Sequence, residues 1–190
     1  MAAVTPFAQL VGTCSIYVAA ASTAEPAVNA TPGGSWTLVG ATTGDQTVSK
    51  DAAATLFYDN DHQGPVKGVV PQEDPMVAFT LADITHNHLA RILSTIANIT
   101  TAAGPPAVSR VPMKSGAIPT EYALLVKGAA DSPFGNFPAQ WYFPRGFFEK
   151  ALELVRGKAS RAELAVEFKI LEDDTQSENN KLGWTTAQTS

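Results

Sequence analysis

Cys14 is the single cysteine of the chain. That excludes an internal disulfide and any multi-cysteine zinc site, so packing alone has to stabilise the fold. Charge is sparse as well: 16% of the 190 residues are Asp, Glu, Lys or Arg, and the formal net charge is -5. A protein that grips nucleic acid neutralises phosphates with clustered Lys and Arg, and no such cluster is present. No window reaches the roughly 18 consecutive apolar residues of a membrane span. Nor does a basic stretch followed by an apolar core precede the first strand. The expectation is a soluble, unexported subunit that does not bind membranes.

Catalytic and metal-binding motifs are missing too. Asp59, Asp61 and Gly64 occupy positions 1, 3 and 6 of a calcium-loop pattern, but position 5 is Gln63 and position 12 is Val70 where the bidentate Glu belongs. His86 and His88 are two apart, which on a helix separates them by roughly 160° and prevents them from chelating one ion. Gly157-Lys158 lacks the flanking residues of a phosphate-binding loop, and there is no G-x-S-x-G elbow. Cys14 has no neighbouring His or Lys and reads as a small apolar strand residue. Glu172-Asp173-Asp174 reads as a solvated strand end. No catalytic residue, cofactor site or metal site is assigned.

What the chain does have is strand periodicity. With 45% hydrophobic residues it is long enough for one sizeable core and short for two, so residues 1–190 are expected to form one domain. Phe7 to Ala19 alternates loosely, and Trp36 to Val39 and Gln46 to Ser49 flank a turn at Gly40 to Gly44, with Trp36 a core candidate. Residues 20–34 are Ala-, Thr-, Pro- and Gly-rich, too poor in large apolar groups to offset about 1–2 kcal/mol of backbone ordering per residue, and are expected to be a flexible surface loop. Residues 50–70 read as a long hairpin, with the apolar step Leu56-Phe57-Tyr58 beside the polar tip Asp59 to Pro65.

Glu121 to Val126 is apolar and β-prone, and the aromatics of Gln140 to Phe148 surround Pro144-Arg145-Gly146. Leu164, Val166, Phe168 and Ile170 alternate cleanly with Glu163, Ala165, Glu167 and Lys169, so the helix-forming composition there is overruled by a two-residue period; with Glu149 to Arg156 it makes a terminal strand pair. Residues 173–190 are polar apart from Leu182 and Trp184, and read as a tail.

One helix is expected. Met76 to Leu81 is strand-like, then the period lengthens to about 3.6, and Thr80 with Asp83 has capping-box spacing. That predicts a helix over 81–97 packing Leu81, Leu89, Ile92 and Ile96 on the sheet, with His86, Asn87, Ala90, Arg91 and Ser94 facing away.

The order of these features carries a resemblance: an N-terminal strand, W-x-L-V-G at Trp36 to Gly40, a polar-tipped hairpin, FTLADITHNHLARIL, WYFPRG and ELAVEFKILED. It resembles the major tail tube protein of long-tailed, siphovirus-like bacteriophages, over roughly Gly12 to Asp173. The resemblance implies a mainly β fold, a β-sandwich or barrel of antiparallel strands with one flanking helix. It further implies hexameric rings stacked into a tube, other phage tail proteins at the tube ends, and viral DNA passing through without specific binding. Assembly would take place in the host cytoplasm and the product would be part of the virion, with no enzymatic activity. An acidic conduit suits that role, because a wall that repels phosphates lets DNA slide. The hairpin residues Leu56, Phe57, Tyr58, Asp59 and Asp61 then become the inter-subunit candidates. A single-ring tail terminator or connector, and an independent β-sandwich binding module, are the alternatives.

Overall fold

The computed structural model describes residues 13–113, 116, 118–128, 138–149, 154–155 and 162–188. Its strands are β1 (Cys14–Ala20), β2 (Thr37–Leu38), β3 (Thr42–Phe57), β4 (Lys67–Leu81), β5 (Thr100–Ala102), β6 (Val108–Arg110), β7 (Tyr122–Gly128), β8 (Ala139–Phe148), β9 (Leu154–Val155), β10 (Glu163–Ile170) and β11 (Trp184–Ala187), with one helix, α1 (His86–Ile92). The expected strand start at Phe7 and most of 149–156 lie outside the described residues.

All pairings are antiparallel, in the order β2-β1-β7-β8-β10-β4-β3, with β11 added to β8 and β9 to β10; β5 and β6 form a separate two-stranded ribbon. β1 and β4 are not neighbours in this order, yet Ile16 and Val18 share one core cluster with Val77, Phe79 and Leu81. The sheet therefore curls round a single core. Its ends approach where the Gln46 side-chain amide on β3 donates to the Cys14 carbonyl on β1 at 3.3 Å.

Burial explains the sequence patterns strand by strand. β10 puts Leu164, Val166, Phe168 and Ile170 into the core and leaves the intervening residues half-buried, which is the two-residue period read from the sequence. β7 is buried on both faces, Tyr122 to Val126 without interruption, so its residues form a continuous apolar run. The second face of β7 belongs to a smaller cluster of Ala19, Trp36, Ala123, Leu125 and Tyr142, which confirms Trp36 as a core residue.

That second cluster is roofed by the segment 21–35. It has no regular structure, as composition predicts, but its contacts are specific. The Glu25 carboxylate accepts from the Gln140 side chain at 2.6 Å and from the Trp184 indole at 2.7 Å. Trp36 donates to the Ala24 carbonyl at 3.2 Å, and Tyr142 donates to the Thr23 carbonyl at 2.6 Å. Burial, with Asp173 and Glu25 nearby, pushes the Tyr142 phenol up to about 12, so it stays a neutral donor.

Three expectations are corrected. The residues after 173 are not all tail: β11 pairs Trp184 with Tyr142 through Ala187 with Ala139. Asp173 is not solvated but 2% exposed. Burial pushes its carboxyl up, and hydrogen bonds from Thr175 and Ser22 outweigh that and hold it below the usual range. The helix is shorter than 81–97. Leu81 is the last residue of β4, held between Leu164 of β10 and Thr42 of β3 and wholly buried, so the chain cannot begin to coil there. Thr85 caps the helix by accepting from the His88 amide at 3.3 Å, and Ile96 lies beyond its end in a 3-10 turn, half-buried.

The buried side of α1 is centred on Ala90 and Ile92, at 0% and 8% exposure, with Leu89 packed at the margin of the core. Ala90, expected to face away, is thus fully buried. Ile92→Ala is expected to cost about 2–4 kcal/mol, and Leu89→Ala less because part of Leu89 is already in water. Urea unfolding checks this; equal losses for Ile92→Ala and for His86→Ala on the exposed side would contradict the assigned face.

Candidate assembly surface

β3 and β4 run past the body of the protein as a two-stranded ribbon. From Lys50 through Asp74 every residue is exposed, whereas Pro75, Val77, Phe79 and Leu81 immediately beyond are buried. At about 3.4 Å per residue, the strand from Lys50 to Phe57 reaches roughly 25 Å from the core. The pairing holds from Lys50 opposite Pro75 to Phe57 opposite Lys67, with an irregularity between Ala53 and Thr55.

The exposed apolar groups at the far end are unusual for a solvated ribbon. Leu56, Phe57 and Tyr58 are 48%, 52% and 67% exposed, and Val66, Val69 and Val70 add to the patch. Isolated two-stranded hairpins are marginal in water, and clustered apolar surface marks an interaction site. β3 also ends the sheet order, so one side of it has no strand partner among the described residues.

The polar tip folds on itself. Asp59 Oδ1 accepts from the amides of Asp61 and His62 at 3.2 and 2.9 Å, and the His62 ring nitrogen Nδ1 lies 2.8 Å from the same oxygen. Asp59 is therefore a turn-forming carboxylate. Among the described residues no group of three or more His, Cys, Asp or Glu is arranged to hold a metal ion. Leu56, Phe57, Tyr58, Asp59 and Asp61 are brought together at one end of the molecule, while Leu81, Leu89 and Ile92 belong to the core and Ile96 lies half-buried in the 3-10 turn after the helix.

Beside the ribbon's base lies a second feature that sequence reading misses, a groove of about 440 Å³. Trp141, Phe143, Ile170 and Leu182 provide its apolar lining, with Val48 and Pro75 on the ribbon side. It opens where β10 stops at Ile170. Trp141 stacks on Phe143 with ring centroids 6.4 Å apart. Charged side chains rim it, mostly already paired: Lys50 with Glu73 at 2.7 Å, and Lys181 with Glu178 at 3.0 Å and Asp174 at 3.3 Å. These two carboxylates raise the Lys181 ammonium's pKa by hydrogen bonding, Glu178 foremost. The lining comes from β3, β4, β8, β10 and the loop before β11, which is why no local motif announces it.

Gly183 shapes that loop. Its φ is +122°, and a Cβ there would stand 2.3 Å from the Tyr142 carbonyl oxygen, so only glycine lets β11 close on β8.

A family model described as phage tail tube protein matches residues 6–187. No curated protein matches the chain.

Proposed function

Because this chain belongs to the phage tail tube protein family, we propose that it builds the tail tube as hexameric rings stacked into a conduit for viral DNA, as a single tail tube domain over residues 1–190. Its structural role in a phage tail and its assembly with itself and with other tail proteins follow from the family. The stacking, the sixfold ring, assembly in the host cytoplasm and DNA passage are our reading.

The observation that carries this reading is the ribbon. Twenty-five consecutive residues, 50 to 74, extend from the body with apolar side chains at their far end, a costly arrangement for an isolated subunit and a suitable one for a polymer. Negative-stain microscopy of the purified protein tests it. Stacked rings with sixfold end views are expected; single rings would assign the chain to the terminator or connector role, and monomers would remove the proposal.

The conduit part has its own test. With a net charge of -5, the subunit is expected to show no measurable binding to duplex DNA at physiological salt. Sub-micromolar binding in a gel-shift assay at that salt would overturn passive passage.

A further inference from the structure

We propose that the groove beside the ribbon's base receives Phe57 from the ribbon of a second copy of this chain, and that Lys67 of that ribbon pairs with Glu172 at the groove's rim. The proposal rests on the stacked-ring reading above and names the partner surface within it.

Three observations converge. First, Phe57 cannot occupy the groove of its own subunit. The groove adjoins Val48, Lys50, Glu73 and Pro75, and Phe57 lies seven residues up an extended strand from Lys50, about 24 Å away. Second, strand alternation puts Phe57 on the face of β3 opposite to Val48 and Lys50, and in register with Lys67 on β4. The far end of one ribbon thus offers an aromatic ring and a cation on its outer face. The base of another offers an apolar groove on its inner face, so successive ribbons overlap like shingles.

Third, the charges match. The Lys67 side chain makes no ion pair or hydrogen bond among the described residues. Around the groove, Glu73, Glu178 and Asp174 are engaged by lysines, whereas the exposed Glu172 carboxylate makes no ion pair among the described residues. A ribbon that seats Phe57 brings one uncompensated lysine to one uncompensated glutamate. Donor and acceptor are different patches, so the contact is head-to-tail, and placed between stacked rings it repeats along the tube axis.

The experiment is a charge exchange in the full chain. Lys67→Glu and Glu172→Lys are each expected to lower pelletable tube by about tenfold or more, and the double variant to restore it to within about twofold of wild type, because each single places like charges face to face. Both positions are exposed, so far-UV circular dichroism of all three is expected to match wild type. Single variants that polymerise normally, or a double variant that does not recover, overturn the proposal. A wild-type chain that never polymerises overturns the stacked-ring reading beneath it, so the two failures are distinguishable.

Discussion

Removing Asp59 to Gln63, or replacing Phe57 with serine, is expected to leave a folded subunit and abolish tube growth. No residue between Lys50 and Asp74 is buried, so these changes take nothing from the core, and far-UV circular dichroism and the thermal midpoint should stay within error of wild type. Phe57→Ser removes apolar surface that is in water in the subunit, where Phe57 is 52% exposed, and the deletion removes the polar tip that joins β3 to β4. With about half of its surface already covered, burying the rest of the Phe57 ring in a partner is worth about 1–1.5 kcal/mol. Repeated six times round the proposed sixfold ring, the loss is on the order of 5–10 kcal/mol per stacked layer. A loss of that size separates growth from no growth. Microscopy and pelleting of both variants check it; loss of folding, or normal tubes from both, would remove the ribbon from assembly.

Phe168→Ala is expected to cost about 3–5 kcal/mol, a large share of the 5–15 kcal/mol that stabilises a typical domain. Phe168 is 0% exposed and meets Phe148 edge-to-face at 5.2 Å. Its ring lies against Gly146, where an added Cβ would stand 2.4 Å from the Phe168 ring and 2.3 Å from the Lys169 carbonyl. The site can neither collapse easily nor borrow a neighbour's side chain, so a cavity persists. Gly146→Ala acts from the opposite direction, forcing β8 and β10 apart for about 1–3 kcal/mol. Lys169→Ala, one residue away, loses only a long, part-exposed ion pair to Glu149 at 3.6 Å and is expected to cost under about 1 kcal/mol. Urea midpoints rank the three; a Phe168→Ala cost no larger than that of Lys169→Ala would contradict the core assignment.

The contrast between β10 and β7 shows what a sequence can disclose about this fold. β10 buries one face, so its alternation identified both the strand and its inward residues. β7 buries both, and the same logic yields only an apolar run. The helix limits were misplaced because Leu81 is claimed by pairing on two sides, a long-range constraint that outweighs the local Thr80–Asp83 spacing. β11 was hidden because Trp184–Ala187 has only four residues and finds its partner in β8, some 45 positions earlier.

Asp173 was misread for a related reason: an acidic run usually means solvent, and nothing local announces that Ser22 returns to meet it. The ribbon was legible, since Leu56-Phe57-Tyr58 beside a polar tip is a local contrast. The groove was not, because five separated segments build it.

The segment roofing the second cluster also sets a timetable. Ser22 bonds to Asp173 across 151 positions and Glu25 to Trp184 across 159, so residues made early in translation wait for residues made nearly last. Contacts this distant in sequence slow folding, and N-terminal strands cannot complete their sheet while the ribosome still holds the C-terminal part. The groove wall contributed by Leu182 forms only at that final step. Under the proposed docking, a nascent chain can therefore offer its ribbon to a finished copy before its own groove is ready to receive one.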